Sequence, residues 1–360
     1  MSVQTALAVD PPSDVEMLAK RLGADWPALD AARRRSAEQM NQLEAATASV
    51  LRPHADLSMV VFGSLARGEF TSGSDADWTL LVDGPADAAH RDLVERVRTR
   101  CRELALPPPA RGGAFGRMTV SHDLIHQIGG DDDTNRNTTQ RLLLLLESAP
   151  VGRREAYDRV LENVLRRYVE EDLTSASDSA YRVPRFLQND FARYWRTIAV
   201  DFAHKRRERG PQKWALRSAK LRMSRKLLYV AGLLACFSVD FRLRGRGRPH
   251  PYATPDVVDH LSALLRKTPL DIVAGVVLEY FGELSVSGAR LFGAYDRFLA
   301  ILDDKASRDR LAGLVPADAD RDPLYEEVRN LGAQYQEALD AMFFDSDTPL
   351  PGLIRKYGVF

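Results

Sequence analysis

Two acids separated by one residue, Asp75 and Asp77, follow a Gly63-Ser64 pair after a short polar stretch. Ten residues lie between Ser64 and Asp75. On a strand, alternate side chains share a face, so both acids would project the same way, about 6.6 Å apart along the backbone. Two ionised carboxylates that close, in a half-buried site, repel each other and are costly without compensation. A divalent cation supplies it, and Mg²⁺ takes one or two protein carboxylates plus phosphate oxygens and water. Gly63-Ser64 ends an apolar run and opens a helix, where backbone N–H groups and the Ser64 hydroxyl suit a polyphosphate. One side of such a site grips metal and the other grips phosphate. Phosphoryl-type transfer then needs positioning, charge neutralisation and an in-line acceptor. SDAD by itself is a common turn sequence; the Gly-Ser pair and an apolar strand before each half make the combination specific.

The elements that must hold these residues are legible in the same stretch. Leu57 to Phe62 is apolar and β-branched and reads as a buried strand entering a tight turn. Asp75 to Val82 reads as a second strand, closed by Asp83-Gly84-Pro85. Ala86 to Leu106 is helical, Pro107 to Pro109 with Gly112-Gly113 is a loop, and Gly116 to Ser121 is a third strand. Before them, Ser13 to Leu22 and Trp26 to Leu51 have helical spacing, ended by Gly23 and Pro53. After about residue 130 the chain becomes helical: Asn135 to Glu147, Arg153 to Glu171, Pro184 to Glu208, Lys213 to Phe237, Pro255 to Arg266, Leu270 to Phe281, Ser287 to Asp304 and Pro323 to Phe343. The expected fold is α+β, a small mixed sheet with helices followed by a helical bundle. The expected division is 1–52 for N-terminal helices, 53–150 for the catalytic unit and 151–360 for a helical substrate-binding unit.

The stretch GSLARGEFTSGSDADW resembles the hG[GS]…DhDh signature of the DNA polymerase β-like nucleotidyltransferase superfamily, and its bacterial members written GS-x-ARGE-x-T-x-x-SD-x-D. The resemblance implies that Gly63 and Ser64 contact nucleotide phosphates and that Asp75 and Asp77 bind two Mg²⁺ ions. It implies too that an NTP, ATP by default, donates NMP and that pyrophosphate leaves. Arg67, Glu69 and Thr71 either shape the loop by hydrogen bonds or contact phosphate or base; Arg67 and Ser74 join the candidate nucleotide-binding residues.

Many members carry a third carboxylate on a following strand as general base. Here the strand reads Gly116-Arg-Met-Thr-Val-Ser-His-Asp-Leu124, and Asp123 is the candidate, with His122 behind it. Asp131-Asp-Asp133 reads first as a loop and N-cap. The segment from Arg141 through the leucines to Glu147-Ser-Ala-Pro-Val151 is similar to a helix end in protein-PII uridylyltransferases and related bacterial nucleotidyltransferases with helical substrate-binding domains. A buried leucine helix explains that segment without any function, so Glu147 is not counted among the site residues.

A basic run follows: Lys205, Arg206, Arg207, Arg209, Lys213, Arg217, Lys220, Arg222, Arg225 and Lys226, then Arg242, Arg244, Arg246 and Arg248 on a Gly/Pro-rich loop. It is either a solvated face or a source of one or two cations for the triphosphate, with Lys220 the candidate. Tyr194-Trp195 reads as core. Formal net charge is +0, from 50 basic and 50 acidic residues, so bulk charge gives no support for a nucleic-acid-binding chain. The two cysteines, Cys101 and Cys236, fit no zinc or disulfide pattern, and no signal or membrane-spanning run is evident, so a cytoplasmic protein is expected. The acceptor stays open among proteins, RNA ends, small hydroxylated molecules and a second nucleotide, and the likeness to uridylyltransferases favours protein or regulatory modification. An oligonucleotide-signal synthase and a toxin compete within the class, and a non-catalytic nucleotide-binding module competes outside it.

Overall fold

The computed structural model describes residues 11–107, 115–174, 183–208, 212–246 and 254–358. Its sheet has four strands: β1 (Leu57–Phe62), β2 (Asp77–Val82), β3 (Arg117–Val120) and β4 (Ser148–Val151). The spatial order is β3-β2-β1-β4. β1 runs antiparallel to both β2 and β4, and β2 runs parallel to β3, so the sheet is mixed. With the helices around it the fold is α+β, as the sequence pattern leads one to expect.

β1 has no polar alternation because both of its faces are buried. Leu57, Met59 and Val61 join one core with Leu43, Val50 and Leu51 of the helix Pro27–Leu51 and with Leu93 and Val97 of the helix Ala89–Glu103. Val60 and Phe62 face the other way, into a second core shared with the leucine helix Asn135–Leu146 and the helices beyond it. That second core reaches from Val15 to Ile354.

The N-terminal helices are tied into this body. Ser13 and Glu16 form a capping box on the helix Asp14–Leu22, and Gly23 ends it at φ 61°. Asp271, on the helix Pro269–Glu279, accepts from the Val15 N–H at 3.1 Å and from Arg33 at 2.7 Å. Trp26 stacks on Phe292, ring centroids 4.8 Å apart, and the Leu29 N–H donates to Asp296 at 2.9 Å. Both partners sit on the long helix Phe281–Asp303.

Four local expectations need correction. β2 begins at Asp77, so Asp75 stands on the approach to the strand rather than within it. β4 is an additional strand: SAPV is too short and too mixed to show a period, and its Pro150 is tolerated at a sheet edge. The helix expected over Lys213 to Phe237 is interrupted, Trp214–Lys220 passing into a π-helical turn Leu221–Arg225 before Lys226–Arg246. That last helix runs through Arg246, so Arg242 is helical and not part of a loop. Residues 108–114, 209–211 and 247–253, with the side chains of Lys205, Arg206, Arg244 and Arg246, lie outside the described residues, and with them the expected roles of Arg209 and Arg248.

Candidate active site

Asp77 stands opposite Phe62 in the β1–β2 ladder, so the residue after Phe62 must turn beside it. That residue is Gly63, at φ 69°, in the left-handed region where a side chain is strained. A Cβ there would meet the Asp77 Oδ2 at 3.9 Å. The bend and the acid therefore face each other at contact distance. A single helical turn, Gly63–Ala66, carries Ser64 into the same space. Gly63, Ser64, Asp75 and Asp77 line one cavity of about 100 Å³, together with Ser74, Lys220, Arg225 and Arg308.

Charge is concentrated there. Burial pushes the Asp77 carboxyl up to about 6, and the neighbouring charges of Asp75 and Glu147 push the same way against Arg225 and Lys220. Lys220 is pushed down to about 8, chiefly by burial and then by Arg308, Arg225 and Arg67. No group of three or more His, Cys, Asp or Glu that could hold a metal occurs among the described residues. The donors at this site are two carboxylates, the set that Mg²⁺ completes with phosphate oxygens and water, so these residues fit the cation.

Behind the acids runs a buried chain of alternating charge. Arg67 donates to Glu69 through Nε at 3.0 Å and Nη2 at 2.8 Å, and to Glu147 through Nη1. Glu147 accepts from Arg225 at 2.7 Å, and Glu69 accepts from the Tyr295 hydroxyl at 2.9 Å. Burial raises the Glu147 carboxyl, but Arg225 and Arg67 outweigh it and hold it below its ordinary range. The Gly63 N–H also donates to the Glu147 carbonyl at 3.2 Å. One residue thus anchors the bend by its backbone and two arginines by its side chain. The Gly63 N–H is taken up in that contact and is not free to meet a ligand.

The remaining expected residues divide. Ser74 accepts from the Thr71 N–H at 3.0 Å and bonds its hydroxyl at 2.9 Å, closing the loop before the acids. Arg67 borders the cavity, but its guanidinium is engaged by two carboxylates. Lys220 is brought in, as the last residue before the π-helical turn that also aims Arg225. Asp123 is not: it is exposed on the short helix Ser121–Ile125 and lines neither this cavity nor the larger one beside it. His122 is exposed as well and packs on the His126 ring. Asp133 is buried against Arg141 at 2.7 Å, and Thr134 supplies the N-cap in place of the Asp run.

Sequence reasoning missed Arg308 and undervalued Glu147. Arg308 lies on the helix Lys305–Gly313, and its guanidinium rests where a Cβ on Gly73 would fall, 2.4 Å away. Nothing near it in the chain marks it out. Glu147 did carry a signal, as a lone acid ending a run of five leucines.

Residues 44–113 match the family model described as a nucleotidyltransferase domain. The chain carries a nucleotidyltransferase domain of the DNA polymerase β-like superfamily and is a transferase of nucleotidyl groups. The matched segment holds the bend, both aspartates and the helix after β2; the helical region lies outside it. No curated protein matches the chain. No helix among the described residues is long and apolar enough to cross a membrane, and both cysteines are free and buried.

Proposed function

We propose that the protein transfers NMP from an NTP to an acceptor hydroxyl, releasing pyrophosphate, with Asp75 and Asp77 as the ligands of Mg²⁺. The observation that carries this reading is the single cavity in which the Gly63-Ser64 bend and both acids meet Lys220, Arg225 and Arg308. When bound, the metal would supply neutralisation of phosphate charge and polarisation at the reacting phosphorus. The chain's own residues do the rest. Ser64 and the turn it opens hold phosphate oxygens. Lys220 and Arg308 face them from the helical side and favour the charge that develops on the leaving pyrophosphate. Glu147 keeps Arg225 and Arg67 extended, so that the cleft is set before nucleotide arrives.

Incubation with each of the four NTPs, Mg²⁺ and cell extract tests the reading. Pyrophosphate release and nucleotide-labelled product, both lost in EDTA, are expected. Retention of nucleotide with no pyrophosphate from any NTP would leave only a binding module.

A further inference from the structure

A second cavity, about 320 Å³, adjoins the first. The two meet at Gly63, Asp77, Lys220 and Arg225 and share no other lining residue, so they extend from that junction along different walls. Their chemistry differs. The smaller is polar and crowded with cations. The larger is walled by Phe115, Leu143, Tyr194, Ile198, Phe202 and Leu221. Arg217, partly buried, also lines it; its Nη2 donates to the Gln212 carbonyl at 2.5 Å and its Nε has no hydrogen-bond partner. A guanidinium on a largely apolar wall favours an oxyanion on the occupant.

We infer that the larger cavity is the acceptor chamber, and that its occupant is a free small molecule with a hydroxyl on an apolar or aromatic body and one oxyanion for Arg217. This rests on the transfer reading above. Displacement at phosphorus proceeds in line, with the attacking oxygen opposite the leaving one. Pyrophosphate belongs with Ser64, Lys220 and Arg308 in the smaller cavity, which places attack on the α-phosphorus from the larger. The acceptor oxygen bonds to that phosphorus and the bond to the α,β-bridging oxygen breaks. Pyrophosphate keeps the electron pair, and the hydroxyl proton passes to solvent. Size and charge select the occupant. The chamber is at the low end of the range that encloses one small ligand. Its lining carries Asp77, Glu147 and Asp201 as well as Arg217, Lys220 and Arg225, a mixture of signs rather than the cationic track that a phosphate polymer needs.

The test supplies the full-length protein and Mg²⁺ with each α-³²P-labelled NTP and one of three acceptor pools: a deproteinised small-molecule filtrate, total RNA or total protein. A new labelled compound in the filtrate is expected; label on RNA or protein overturns the inference. No label in any pool overturns the transfer reading itself, and this one with it. Ile198→Trp should fill the chamber, cutting transfer to the filtrate compound at least about 10-fold, while affinity for the α,β-methylene analogue of the donor changes less than about 2-fold. Arg217→Met, which keeps the bulk of the wall, should raise KM for the filtrate compound about 10-fold, again with analogue affinity held. Loss of analogue binding in either folded variant would put the nucleoside, not the acceptor, in the chamber.

Discussion

The two walls of the cleft are built in opposite ways. The acidic wall comes from one short stretch, residues 63–77, held by the β1–β2 ladder and by the Ser74–Thr71 turn. The basic wall is assembled from distant places: Lys220 and Arg225 around a π-helical turn, and Arg308 on another helix. Backbone hydrogen bonds fix the first wall. The second depends on side chains that reach across the molecule, and Glu147 is the point where the two are joined. The acidic wall is therefore expected to keep its shape when its charges are substituted, whereas the basic wall should need its charges to keep its own.

Removing an acid should separate chemistry from folding most widely. Asp75→Asn or Asp77→Asn should lower the rate of pyrophosphate release by about 10³-fold, the scale of losing a fixed electrostatic group. The urea midpoint should hardly fall, because like-charge repulsion is relieved. Retained activity at ordinary Mg²⁺ would discard the metal assignment. Glu147→Ala should do the reverse. It strips the half-buried Arg225 and one bond of the buried Arg67 of their counter-charge, at a cost of about 2 kcal/mol in urea unfolding. A variant as stable as the parent would show that the two walls stand independently.

A third comparison uses pH without divalent metal. The Asp77 carboxyl lies at about 6 when folded and at its ordinary 3.8 when unfolded. The folded state binds the proton more tightly, so this contribution is complete below about pH 4 and is lost as pH rises through about 6. Relative to Asp77→Asn, the parent should lose on the order of 2 kcal/mol across that window. Added Mg²⁺ should abolish the difference; a flat difference would mean that burial and Asp75 do not burden the site. The smallest effect is expected from Gly73→Ala. Its methyl group displaces the end of Arg308, a flexible side chain, and should raise KM for the NTP by about 3-fold with stability unchanged. An unchanged KM would remove Arg308 from the phosphate side.

What could be read in advance follows the same division. Ser64 and Asp77 are near in sequence and joined by a hairpin-like ladder, so strand period and turn chemistry were enough to bring them together. Lys220 was found because it lies in a visible basic run, but the π-helical turn that aims it leaves no pattern. Asp123 follows a strand, as a general base would, but the chain turns there into a short helix whose exposed face carries it away from the cleft. Five leucines account for the helix before Glu147 and mask its role in the sequence.

By itself, then, the sequence determined the α+β class, β1, the bend and the pair of acids, since short-range periodicity and φ preference act within a few residues. Only the tertiary structure decided which cations meet those acids, that Glu147 joins the two walls, and that a second, apolar chamber opens at Asp77. Those are encounters between side chains far apart along the chain, fixed by how helices pack, and local pattern holds no record of that packing.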